Sequence, residues 1–257
     1  MTSNCCTACF VIALAASACA TNSAQSSEAT SAVPPDLRDV ERDGDRLVAM
    51  VFGAYDKTPA ISRRPDWAQT ASVLSLLKQV WSKSKSVTPG LPPPQVNLTD
   101  RAIAELDQAV GAKDQRGAAF AANAVGLAVP TLFGYFHPSP LIQIVRLGAV
   151  FRRVGIDAHF GQLDAAARDV SSLNAAWAAS KAAVEARLPT CHRVANTAQV
   201  VVDMEESLRN LATATSQADT TTFEVESDDG ARQVATLEEL FDCSTGHCPT
   251  NASILLD

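Results

Sequence analysis

The sequence predicts an all-α protein, an antiparallel helical bundle, and two observations carry that prediction. Apolar residues recur three and four apart in segment after segment of the 257-residue chain, the spacing that lines one face of a helix. Strand signals are confined to TTTFEVE, Thr220 to Glu226. That stretch, with the acidic EVESDDG overlapping it, reads as a loop.

The helices follow in chain order. Leu37, Val40, Leu47, Val51 and Ala54 line a first helix beginning at Asp36. Trp67, Leu74, Leu77 and Trp81 line a second, which starts after Pro65-Asp66. Asn97-Leu98-Thr99-Asp100 opens a third, with Thr99 or Asp100 as its cap and Ile103, Leu106 and Val110 inside. Gly117 to Phe136 carries no charge, over about the 20 residues that a membrane span needs. Its Ala and Gly content, the polar Asn123 and Thr131, Pro130 as a break or kink, and Arg146 midway along the next helix make it instead a central, buried helix. Leu163, Ala166, Val170, Leu173, Trp177, Val184 and Leu188 keep a near-heptad rhythm, and Val194, Ala198, Val201, Leu208 and Leu211 continue it. A short final helix carries Val234, Leu237, Leu240 and Phe241.

Two strings recur in the same order. Leu77, Trp81, Ser84 and Lys85 spell L-x-x-x-W-x-x-S-K, repeated at Leu173, Trp177, Ser180 and Lys181. Upstream, RLVAMVF from Arg46 resembles RLGAVF from Arg146. They point to an internal repeat, 36–136 and 138–241, each a set of about four helices joined near Pro138-Ser139-Pro140.

The beginning of the chain reads as an address label. Cys9 to Ala18 is a ten-residue apolar run, too short to span a bilayer and followed by small residues in an A-x-A pattern. Ala16-Ser17-Ala18-Cys19 resembles the lipobox of bacterial lipoproteins, in which the Cys is lipidated and becomes the mature N-terminus. The resemblance implies a signal peptide at 1–18 and lipidation at Cys19. Ala16 stands where the family usually has Leu, and no Lys or Arg precedes Arg38. Residues 19–35 are small, polar and end in Pro34-Pro35, which fits a flexible tether, and 36–257 form the helical domain. The net charge of −7 lies wholly beyond Ser27 and, without a basic patch, argues against nucleic acid.

Catalytic motifs are absent: H-E-x-x-H, G-x-S-x-G, a Gly-rich phosphate loop and C-x-x-C-H do not occur. Ser75 and Lys78 spell S-x-x-K without the partner motifs of a β-lactamase, and the intervening leucines read as helix core. His137 reads as a cap or surface group, Glu224 to Gly230 as solvated rather than a cation loop, and Asp203, Glu205 and Glu206 as a solvated helix face. In an exported chain the later cysteines oxidise, which favours a Cys243–Cys248 disulfide. A bridge from Cys191 is one alternative. Another is a soft metal ion held by Cys191, His192 and His247 with Cys243 and Cys248.

The expected function is an exported, lipid-anchored helical binding or scaffolding protein of the bacterial envelope, in the outer membrane or periplasm, with secretion as the alternative. Its partner is an envelope protein or a small apolar ligand held between helices, and no cofactor is implied. The alternative function is a periplasmic metal- or redox-linked protein using the C-terminal Cys and His residues.

Overall fold

The computed structural model describes residues 33–52, 64–136, 140–187 and 197–242. Among them the chain is helical throughout, without a strand: α1 (Pro35–Phe52), α2 (Trp67–Val87), α3 (Pro93–Ala112), α4 (Gln115–Phe136), α5 (Pro140–His159), α6 (Leu163–Arg187), α7 (Thr197–Gln217) and α8 (Thr220–Asp242). The all-α class follows directly from the apolar spacing. Ala54, Leu188 and Val194 lie outside the described residues.

Local chemistry sets several boundaries. The Asp66 carboxylate caps α2, accepting from the N–H groups of Ala68 at 3.0 Å and Gln69 at 3.1 Å. Helix α3 starts earlier than the expected cap at Thr99 or Asp100. It opens on Pro93, directly after Pro92, because proline is pre-set for a first turn whose N–H groups need no intrahelical partner. Thr99 is a buried interior residue whose hydroxyl donates to the Gln95 carbonyl at 3.1 Å. The expected loop at 220–230 is also wrong. Asp219 caps α8 by accepting from Thr221 N–H at 3.1 Å and Thr222 N–H at 3.2 Å. TTTFEVE and EVESDDG are the first half of α8, with Phe223 and Ser227 facing inward. A cap and an inward apolar face outweigh the β propensity of three threonines. Pro130 neither breaks α4 nor ends it.

Each half closes into a ring of four helices. In the first, α1 packs against α2 and α4, and α3 against α2 and α4; in the second, α5 packs against α6 and α8, and α7 against α6 and α8. Two apolar clusters form, and that of the first ring takes in Val145 and Ile156 of α5 across the junction between the rings. One is centred on Leu37, Leu47, Leu77, Leu106, Val125 and Leu132, the other on Leu147, Phe151, Leu173, Met204, Phe223 and Val234. Contacts of α4 with α5 join them. Helix α4 passes the length and apolarity test for a membrane span, but it is mostly buried within the protein.

The two rings repeat one another in detail. Helices α2 and α6 align with Trp81 on Trp177 and Ser84 on Ser180, all four buried. Helices α3 and α7 both end in a left-handed residue, Lys113 at φ 54° and Ala218 at φ 53°. The next residue caps the following helix in both, Asp114 for α4 and Asp219 for α8. At the same shift the buried Thr99, Ala102, Ile103, Leu106 and Ala109 fall on the buried Met204, Ser207, Leu208, Leu211 and Ala214.

The matched strings at Arg46 and Arg146 identify the right helices, α1 and α5, but two turns out of register. The packing partners give the true alignment. A Cβ on Gly44 would sit 3.2 Å from Val125, whereas at the equivalent level of α8 a Cβ on Gly230 would fall inside the Phe151 ring. Gly44 therefore corresponds to Phe151: the small residue is on α1 in one half and on α8 in the other. This register places Phe52 on His159, so α1 and α5 end together. An apolar pattern shifted by two turns keeps nearly the same face inward, so apolar spacing alone cannot tell the two registers apart.

Candidate functional site

Helices α2 and α3 are the most loosely apposed neighbours in the first ring, and an open groove of about 470 Å³ lies between them. Trp67, Ala71, Leu74 and Val110 form its apolar lining. Lys78 and Asp107 bridge it with an ion pair of 2.9 Å whose partners are both about half exposed, and Lys113 stands at its end. Lys78 is thus a strut across the groove. Ser75 also lines it, with an oxygen 3.5 Å from Gln79 Nε2, and among the described residues no base hydrogen-bonds to it.

The far end of α2 is pinned to α3. The Trp81 indole N–H donates to Asp100 at 2.7 Å, and Lys85 reaches the same oxygen at 2.7 Å. Burial raises the Asp100 carboxyl, but the hydrogen bonds from Lys85 and Trp81 outweigh it and hold it below its ordinary value. The second half repeats the arrangement with Trp177, Lys181 and Glu205. The hydrogen bond that Lys181 donates to Glu205 lowers the Glu205 carboxyl and raises the Lys181 ammonium. Trp177 Nε1 points toward Glu205 without reaching full hydrogen-bond geometry. Glu205 therefore does not belong to a merely solvated face, as its neighbours suggest, but ties α7 to α6.

A second concentration of chemistry sits where α1, α4, α5 and α8 converge. His159 lies edge-on to Phe52, with centroids 5.1 Å apart, and to Phe160 at 4.9 Å. Its Nδ1 is 3.0 Å from Glu224 Oε1, and both side chains are largely buried. Phe120 approaches Phe160 and carries the Arg153 guanidinium 4.4 Å above its ring, a cation–π contact worth about 1 kcal/mol. Arg153 also donates to Asp157 at 2.9 Å. Burial, and then the negative charge of Asp157, raise the Asp169 carboxyl. A His–carboxylate pair can exchange a proton, but no described hydroxyl or thiol hydrogen-bonds to His159.

The expected site residues fall elsewhere. Cys19, Cys191, His192, Cys243, His247 and Cys248 all lie outside the described residues, as does His137. No group of three or more His, Cys, Asp or Glu side chains among the described residues is placed to hold a metal ion. The carboxylates of EVESDDG are spoken for: Glu224 pairs with His159, Glu226 accepts from Asn210, and Asp228 and Asp229 pair with Arg232. The linear sequence does not pair His159 with Glu224, which are brought together by the packing of α5 on α8. The α2–α3 groove was equally hidden, because apolar spacing identifies faces and not how tightly they close. The chain matches no family model, no curated protein and no solved structure.

Proposed function

We propose that this chain is an exported, lipid-anchored binding module of the bacterial envelope, and that it docks an amphipathic segment of a partner protein in the α2–α3 groove. The lipobox-like Ala16-Ser17-Ala18-Cys19 and the polar segment behind it support the anchor. The groove is the one observation that carries the binding role. Small apolar ligands are held in sites that bury most of their surface, whereas this groove lies open, with an apolar floor between charged rims. That form suits an amphipathic helix, which lays one apolar face into a groove. Lys113 at the exposed end favours a partner segment with an acidic flank.

A photo-crosslinking residue at Ala71, which is exposed and lines the groove, tests the reading in intact cells. The same probe at Val202, an exposed residue of α7, is the control. The expected result is a discrete adduct from position 71 that Lys113→Glu weakens, with none from position 202. Equal adducts from both positions, or none from 71, remove the groove as a binding surface.

A further inference from the structure

One end of the first ring brings together the start of the folded domain and a group of exposed apolar side chains. Helix α1 begins there: Lys83, one turn before the end of α2, pairs at 3.0 Å with Asp36 in the first turn of α1. The α2–α3 turn lies at the same end, because a Cβ on Gly90 would be 3.1 Å from the hydroxyl of Tyr135, next to the end of α4. Helix α5 starts beside them, where a Cβ on Gly134 would meet Ile142 at 3.0 Å. Val87 closes α2 and is 56% exposed, Leu98 in the first half of α3 is 51% exposed, and Tyr135 is 56% exposed. Single exposed apolar residues are ordinary on a protein surface. These three share the end from which the chain leads back to Cys19. Charge does not keep a bilayer away: Asp36 is paired with Lys83, Asp100 is paired with Lys85 at 2.7 Å, and Arg101 is exposed one turn beyond Leu98.

We propose that this end is a membrane-contact face: the phospholipid bilayer that holds the acyl chains of Cys19 also covers Val87, Leu98 and Tyr135. The inference rests on the proposed lipid anchor and adds an orientation to it. Residues 20–34 are all that separate Cys19 from Pro35, and even fully extended they reach no further than about 55 Å. The end that bears Pro35 is therefore the end drawn to the surface. Three side chains do not hold a domain on a bilayer by themselves. The anchor supplies a high effective concentration, at which weak contacts are made without further loss of translational freedom. Tyrosine suits the headgroup level, with an apolar ring and a polar tip, and the lysines beside it keep their ammonium groups in the wet layer. The α2–α3 groove then opens away from the membrane, since Trp67 at the start of α2 and Lys113 after α3 belong to the opposite end.

The test reconstitutes the purified full-length chain into vesicles of phosphatidylcholine and phosphatidylglycerol, with and without bromine on the acyl chains. Bromine quenches only the indole groups that reach the bilayer. Tyr135→Trp places a reporter in the face, and Val225→Trp, exposed near the start of α8 at the opposite end, is the control. Trp67 at the far end and the buried Trp81 and Trp177 give a constant background. The expected result is a blue shift of the added emission at position 135 and its loss in brominated vesicles, with neither at position 225. Leu98→Trp is the second reporter should Tyr135→Trp fail to fold. Intact mass, read on the same sample, separates the two readings. A chain without lipid removes the anchor and the face together. A lipidated chain in which position 135 is unquenched, or in which position 225 is quenched equally, overturns the face and leaves the anchor standing. A photo-crosslinker at position 135 that yields a discrete protein adduct in cells overturns it as well, and assigns this end to a protein partner.

Discussion

Trp81 and Trp177 occupy equivalent, buried positions, yet their indole N–H groups are treated differently. Trp81 donates to Asp100 at 2.7 Å, while Trp177 only approaches Glu205. Truncation to Ala at either site should cost about 3–5 kcal/mol, as loss of a large core side chain does. Replacement by Phe keeps most of the volume and removes the N–H, so it separates the two. Trp81→Phe should cost about 1–2 kcal/mol more than Trp177→Phe, the worth of a charge-assisted hydrogen bond. Urea titrations of the four variants measure this, and equal costs for the two Phe variants would show that the hydrogen bond contributes nothing. Asn123 is the opposite case. It is fully buried in α4, and neither its amide nitrogen nor its oxygen has a hydrogen-bond partner among the described residues. An unpaired buried amide is expensive, so Asn123→Leu should raise stability by about 1–3 kcal/mol. A loss of stability in the same titration would mean that the amide is satisfied in solution.

The helices whose apolar faces are continuous, α1, α2 and α6, were legible in the sequence from their inward residues, and Asp66 marked the start of α2. The elements misread were those whose beginnings are governed by caps and context. In α3 three prolines hid a helix start, because proline is read first as a breaker. In α8 three threonines and a run of acids hid about three turns of amphipathic helix behind the Asp219 cap. The junctions that precede α4 and α8 carry the clearest element-scale prediction. Lys113 and Ala218 are left-handed residues, a conformation that costs a non-glycine side chain about 1 kcal/mol. Lys113→Gly and Ala218→Gly should each stabilise the protein by about 0.5–1 kcal/mol despite glycine's greater freedom in the unfolded chain. Thermal midpoints report this, and a fall in either midpoint would show that the turn is not strained there.

At the scale of the whole molecule, the recurring Trp string pointed to the repeated ring, but the register of α1 on α5 was not legible. The Gly44–Val125 and Phe151–Gly230 contacts fix it only once the chains of both halves are packed. The Arg152–Asp45 contact was hidden for the same reason. Glu41 and Asp45 look like the solvated side of an amphipathic helix until a second ring covers them, and Arg152 interrupts an otherwise apolar face of α5. The groove, too, is a property of how closely α2 and α3 pack, which no residue pattern encodes by itself. The proposed role as a tethered binding module depends on one further feature, the fate of the first 19 residues.

The most direct test of that role is the intact mass and location of the mature chain, compared between the wild type and Cys19→Ala. Two acyl chains or more on one Cys make membrane attachment stable, and nothing in the folded domain is proposed to replace them. The account predicts a wild-type chain that begins at Cys19, carries the mass of its lipids and sediments with membranes, and a Cys19→Ala protein that is released from them. A wild-type chain that retains Met1, carries no lipid and remains in the soluble fraction would contradict it.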